Sequence, residues 1–159
     1  MNTSFEFFPP KTEKGKENLV GLTKKLSRFS PEYFSVTYGA GGSTREGTLE
    51  TCVSIKNIGQ KACPHLSGIG AFRESISEVL DEYKEHGLTR IVVLRGDLPS
   101  GIGGLGDFPF ALDLIKFIKQ VEGNFSIEIA AYPEIHPDAE SENSDFENFL
   151  DKVNAGADG

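Results

Sequence analysis

Phe34-Ser35-Val36-Thr37-Tyr38-Gly39-Ala40-Gly41-Gly42-Ser43-Thr44, followed by an amphipathic stretch over residues 45–58 and then by Ala62-Cys63-Pro64-His65-Leu66, is where the fold can be read. A short run rich in aromatic and β-branched residues stops at a glycine-rich turn. A segment with helical spacing follows, and a second apolar run comes after it. Both runs are continuous rather than strictly alternating, as expected for parallel strands covered on both faces. Strand, crossover and returning strand together take about 30 residues, which predicts a βαβ unit and not a hairpin.

The same alternation extends in both directions. Apolar runs at 5–8, 90–94 and 127–132 predict three further strands, and residues 16–29, 75–86, 109–121 and 145–155 carry helical spacing. Gly59 and Gly87 stand just past two of the helices, where a left-handed stop is common. Two architectures use this pattern: an open doubly wound sheet, or part of an eight-stranded (β/α) barrel. Length alone favours the open sheet, because a whole barrel typically takes ~250 residues. The ending favours the barrel: Ala157-Asp158-Gly159 follows a helix directly and reads as the threshold of a sixth strand, hence as an interruption.

With 159 residues, 38% hydrophobic and 25% charged, the chain has the composition of a globular protein with one sizeable core. A net charge of -8 and a pI near 4.9 argue against a nucleic-acid partner, since phosphate binding needs clustered Lys and Arg and the basic residues here are scattered. No run approaches the roughly 18 apolar residues of a membrane span, and Met1-Asn2-Thr3-Ser4 leads into a strand without a secretory leader. A cytoplasmic protein with no membrane partner is expected. Cys52 and Cys63 have neither CxxC spacing nor a zinc pattern around them and read as reduced packing residues.

Ligands of parallel βα folds bind at the carboxyl ends of the strands. Here those ends are Glu6-Phe7-Phe8-Pro9-Pro10, Thr37-Tyr38-Gly39-Ala40, Pro64-His65-Leu66, Arg95-Gly96-Asp97-Leu98-Pro99 and Tyr132-Pro133-Glu134-Ile135-His136-Pro137. Each carries polar or ionisable groups, which points to a functional rim. Glu6 lies inside an apolar stretch, where a carboxylate has to be paired or protonated. A solvated edge or a core ion pair is its structural explanation.

Gly101-Ile102-Gly103-Gly104-Leu105-Gly106 matches G-x-G-x-x-G but starts well after its strand, and no acidic residue opens a next strand about 20 positions on, so it reads as a loop. His65, Asp97, Glu134 and His136 are metal-competent types but come from separate strand ends. Glu6 with Asp97 or Glu134 has the makings of a glycosidase pair, yet the chain has no tryptophan for a sugar platform. An elongated anionic cofactor fits best. Arg95, His65, His136, Lys152 and the turn after Thr37 offer cations and N–H groups for a diphosphate, and Tyr132 and Thr37 offer ring and hydroxyl contacts.

These blocks, taken with Ser35-Val36-Thr37-Tyr38-Gly39-Ala40, Leu94-Arg95-Gly96-Asp97-Leu98-Pro99 and Ala131-Tyr132-Pro133-Glu134-Ile135-His136-Pro137 in that order, resemble the catalytic domain of the methylenetetrahydrofolate reductase family over essentially the whole chain. The resemblance implies an α/β fold, a (β/α)8 TIM-type barrel. Residues 1–159 would supply about the first five βα units, as the N-terminal portion of a single FAD-binding catalytic domain without a separate second domain. It implies ping-pong hydride transfer from NADH or NADPH through FAD to 5,10-methylenetetrahydrofolate, giving 5-methyltetrahydrofolate for one-carbon metabolism and methionine biosynthesis. A homo-oligomer acting on a small-molecule folate is expected.

On this resemblance Glu6 matches the general acid, its proton held by apolar neighbours, and Asp97 the carboxylate beside the flavin ring. Thr37, Tyr38, Ala40, His65, Arg95, Gly96, Asp97, Ala111, Tyr132, His136, Ala139, Asp145, Asn148 and Lys152 match FAD-contacting positions, and no metal is called for. Two departures stand out. Asp151-Lys152 replaces adjacent basic residues found in many bacterial members, and the family's glutamine and folate-stacking phenylalanine fall beyond Gly159. The alternatives are a truncated, non-catalytic flavin-binding chain and a different (β/α) enzyme, a metal hydrolase or glycosidase, using the same rim carboxylates.

Overall fold

A computed structural model describes residues 3–38, 45–97, 104–121, 124–137 and 139–159. Strand and helix alternate along them: β1 (Ser4–Phe7), α1 (Glu13–Leu26), β2 (Tyr33–Val36), α2 (Arg45–Asn57), β3 (Ala62–Ser67), α3 (Arg73–Glu85), β4 (Arg90–Leu94), α4 (Ala111–Gln120), β5 (Ser126–Ile129) and α5 (Glu142–Asn154). The five strands form one sheet in the order β1-β2-β3-β4-β5. β1 pairs with β2, and β2 with β3, in parallel, with Glu6 opposite Ser35 and Ser35 opposite Cys63. A doubly wound sheet reverses its strand order at a switch point. This order has no reversal, so the open sheet favoured by length is not the topology found.

Element ends differ from the expected ones where local chemistry overrides periodicity. α1 starts at Glu13, earlier than expected, because Thr12 caps it by accepting the Gly15 N–H at 3.1 Å. α5 likewise starts at Glu142, where Ser141 and Ser144 exchange side-chain and backbone hydrogen bonds of 3.0 and 3.1 Å. β5 stops at Ile129 instead of reaching Tyr132. Pro133 cannot donate to a ladder, and Tyr132, 53% exposed, turns its ring edge-on to His136 at 4.5 Å instead.

The chain divides into two compact units, residues 1–66 with 81–91 and residues 67–80 with 92–159. In the first, Phe5 and Phe7 stack on the fully buried Phe34 at 5.8 and 5.6 Å. Alternate residues of a strand share a face, so this stacking sends Glu6, between them, to the other face. Gly59 and Gly87 adopt φ of 81° and 62° and end α2 and α3 as expected. Lys56 Nζ donates to the His86 and Gly87 carbonyls at 2.5 and 2.8 Å, tying down the turn that follows α3. Cys52 and Cys63 are buried free thiols, and burial pushes the Cys52 thiol up, which keeps it protonated and unreactive.

In the second unit Phe108, Leu114, Ile115, Ile118 and Ile127 are buried together with Val93. Phe108 packs on Phe117 at 5.2 Å, and the Arg73 guanidinium lies over both rings. The last residues run beside β5. Gly159 N–H donates to the Ile127 carbonyl at 3.2 Å and the Gly159 carbonyl accepts from Ile129 N–H at 2.8 Å, the bracketing of one residue by its neighbour that marks parallel pairing. Asp158 adds its carboxylate to the Ile127 N–H at 2.8 Å and to Lys119 Nζ at 3.2 Å.

Phe34→Ala should therefore lower the unfolding free energy by about 3–5 kcal/mol. Phe29→Ala, at a side chain 54% exposed, should cost less than about 1 kcal/mol. Urea unfolding of both variants checks the contrast.

Candidate active site

In the first unit, Glu6 on β1 and His65 on β3 come together, and Thr37 directly follows β2. Phe7 accepts the Thr37 N–H at 3.0 Å, which carries the β1–β2 pairing one step past β2. The Thr37 carbonyl is tied down by Thr48 Oγ at 2.9 Å, from the first turn of α2. The Thr37 hydroxyl itself is buried and has no hydrogen-bond partner among the described residues. His65, on β3, is buried with Nε2 in the same state and lies 3.4 Å from Glu6 Oε2. Beyond β2, Tyr38 has its hydroxyl pKa raised by burial. Ala40 and the rest of the glycine turn, 39–44, lie outside the described residues.

The Glu6–His65 approach has the distance of an ion pair but not its charge state. Burial pulls the His65 pKa below the usual imidazole value, and the Glu6 carboxylate opposes this with the smaller effect. Desolvation wins because the ring is 8% exposed while Glu6 is 54% exposed and its charge is screened by solvent. His65 is therefore a neutral ring at pH 7. Among the described residues, Phe5 and Phe7, which flank Glu6 in sequence, project from the opposite face of β1 and do not enclose its carboxylate.

The second unit gathers most of the remaining predicted residues. Arg95, Gly96, Asp97, Ala111, Tyr132, His136 and Lys152 line a single cleft of about 450 Å³. An adjoining cleft of about 650 Å³ runs from Tyr132 and His136 to Asp145 and Lys152 along α5. Asp145 accepts the His136 N–H at 3.1 Å, fixing the loop after β5 to the first turn of α5. Lys152 Nζ donates to the Ala130 carbonyl at 3.1 Å. Burial lowers the Lys152 pKa, with Asp145 opposing. Ala139 is a loop residue whose N–H bonds the His136 carbonyl, and Asn148 is exposed on α5; neither lines these clefts.

Two contributors were not anticipated. Thr48 holds Thr37, and Ser67 Oγ donates to the Arg95 carbonyl at 2.9 Å. Ser67 was in principle detectable, since it lies two positions after His65 and so shares its face of β3. Of the glycine motif, residues 101–103 lie outside the described residues; Leu105 accepts the Gly70 N–H at 2.9 Å, so Gly104-Leu105-Gly106 belongs to loop structure. Among the described residues, no group of three or more His, Cys, Asp or Glu side chains could hold a metal ion, and no helix is long and apolar enough to cross a membrane.

Fold and site define a parallel βα protein whose polar and ionisable groups follow its strands. The solved structure of 2,3-dimethylmalate lyase, a PEP mutase/isocitrate lyase superfamily member, matches with a TM-score of 0.61 over 98% of this chain and 56% of that one, at 11% identity. DHDPS from Cyanidioschyzon merolae matches with a TM-score of 0.52 over 83% and 46%, at 13% identity. Such identities speak to the fold alone. The family model "Methylenetetrahydrofolate reductase" matches residues 1–159, and the chain belongs to that family. It is 45% identical to the 5,10-methylenetetrahydrofolate reductase of Pectobacterium carotovorum subsp. carotovorum and 41% to that of Escherichia coli K12, in each case over 99% of this chain and 52% of the relative. Methylenetetrahydrofolate reductase (NADH) 1 of Arabidopsis thaliana is 39% identical over 98% of this chain and 29% of its own length. The chain thus spans about half the length of the bacterial relatives, and the family expected from the strand-end blocks is the one found.

The His65 shift has a signed consequence. Its folded pKa lies below the unfolded value of about 6.5, so the unfolded chain binds more protons as the pH falls through that value, and stability drops with it. His65→Gln should remove this component, a slope of at most about 1.4 kcal/mol per pH unit. Urea midpoints measured from pH 7.5 down to pH 5 check it, and an unchanged slope counts against a neutral buried ring.

Proposed function

We propose that this chain supplies the first five βα units of a (β/α)8 barrel that, complete, reduces 5,10-methylenetetrahydrofolate to 5-methyltetrahydrofolate with NAD(P)H and bound FAD. The observation that carries the cofactor reading is two buried polar atoms without a hydrogen-bond partner among the described residues, Thr37 Oγ and His65 Nε2, at positions the family resemblance gives to FAD. Buried polar groups are normally hydrogen-bonded, so an orphaned pair behind two parallel strands suits a ligand with acceptors and donors of its own. In the second unit Lys152 and His136 suit a diphosphate, and Tyr132 offers a ring face. The barrel is supported by the unreversed strand order and by the parallel pairing of Gly159 beside β5.

Thr37, His65, Arg95, Tyr132, His136 and Lys152 would hold FAD, which would supply the hydride chemistry between nicotinamide and folate. Glu6 is assigned the proton for the folate: an exposed carboxyl is within reach of substrate, and the neutral His65 ring 3.4 Å away does not compete as a cation. Asp97, exposed in its cleft, sets a negative charge near the flavin and disfavours a further negative charge there. The NADH in the name of the Arabidopsis relative agrees with a nicotinamide donor. A cytoplasmic homo-oligomer acting on a small-molecule folate completes the proposal, and the net charge of -8 speaks against a nucleic-acid partner.

Purified protein should show flavin absorbance, and its absence after reconstitution with FAD sinks the cofactor reading. In the full-length protein, Glu6→Gln should leave flavin reduction by NAD(P)H within about twofold while slowing folate reduction by about 10²–10⁴-fold. Stopped-flow measurement of the two half-reactions separates them, and equal loss of both contradicts the role given to Glu6.

A further inference from the structure

The turn Arg95-Gly96-Asp97 follows β4, and its shape is imposed from outside. Gly96 has φ 80°, a region that L side chains rarely adopt. The carbonyl before it, that of Arg95, takes two hydrogen bonds from residues just past His65: Ser67 Oγ at 2.9 Å and Ile69 N–H at 2.9 Å. Gly68 N–H binds the adjacent Leu94 carbonyl at 3.2 Å. A methyl group added to Gly96 would overlap Ser67 Oγ and lie 3.1 Å from its Cβ. The serine thus fills the space that any side chain at position 96 would need.

We infer that Ser67 is a positioning residue for the cofactor site: its hydroxyl fixes the plane of the 95–96 peptide, and through it the directions in which Arg95 and Asp97 leave the chain. A carbonyl oxygen has two lone pairs, and with both engaged it can neither rotate nor tilt freely. Without the Ser67 hydroxyl, the Arg95 carbonyl keeps Ile69 N–H as partner, so no buried polar group is orphaned and the fold survives. What is lost is the restraint on the turn, with Gly96, the most permissive residue, at its centre. Arg95, Gly96 and Asp97 all line the same cleft, so a looser turn acts on anion binding and on the charge beside the ring together. The consequence for FAD rests on the proposed function; the consequence for the turn does not.

Ser67→Ala and Ser67→Thr in the full-length protein test this with two readouts. In flavin-free protein, amide hydrogen exchange at Gly68 and Ile69 should quicken about fivefold in Ser67→Ala, the effect of one net hydrogen bond, and return to normal in Ser67→Thr, which keeps the hydroxyl. In flavin-loaded protein, the FAD dissociation constant should rise about fivefold in the alanine variant with a shifted midpoint potential, again rescued by threonine. Unchanged exchange at both amides overturns the inference. So does a lowered melting temperature with flavin affinity and potential intact, because that is a purely structural serine. If the unsubstituted protein binds no flavin, the cofactor reading fails, while the exchange measurement still decides whether Ser67 holds the turn.

Discussion

Because β1, β2 and β3 pair in parallel in one register, Glu6, Thr37 and His65, near the carboxyl ends of these strands, are carried to the same end of the first unit, and most of what the site can do there derives from that alignment. Thr37 reaches its place through the continued ladder to Phe7, and His65 comes within 3.4 Å of Glu6 although 59 sequence positions separate them. A parallel pair requires a crossover connection, so each alignment is bought with a helix, and those helices supply the burial that keeps the strands together. Phe34, sealed by Phe5 and Phe7, is where the two requirements meet.

Electrostatics within this frame follows burial more than pairing. His65 has a carboxylate beside it and still titrates low, since desolvation of an enclosed ring outweighs a partner that faces solvent. Lys152 repeats the pattern with Asp145. In both cases burial disfavours the charged form; for His65, already below the usual imidazole value, it leaves a neutral ring whose hydrogen-bonding capacity is what the fold offers to a ligand.

The fold was legible because its signals are local. Runs such as Phe34 to Val36 and Arg90 to Leu94 are short and apolar, and Gly59 and Gly87 stop helices as their positions predict. The errors arose where a side chain competes with periodicity: Thr12 and Ser141 start helices early by capping, and Pro133 helps end β5 before Tyr132. Of the strand-end residues, Arg95, Gly96, Asp97, Tyr132 and His136 line one cleft, together with Lys152 of α5. Of the positions carried by likeness alone, Ala111 lines it and Asn148 and Ala139 do not. Thr48 leaves no pattern in the chain, because a single hydroxyl acting on a distant carbonyl has no local signature, whereas Ser67 carries only the weak signal of sharing the His65 face of β3.

The alternation of strand and helix, the family, and the chemical types at each strand end can be read along the chain, since these depend on neighbours within a few positions. Tertiary structure alone decided the strand order without reversal, the neutral state of His65, the exposure of Glu6 and the grip of Ser67 on the Arg95 carbonyl. Each of those depends on groups 28 or more positions apart brought within a few ångströms, and on how much water they leave behind. Neither distance nor solvation is written in the order of residues.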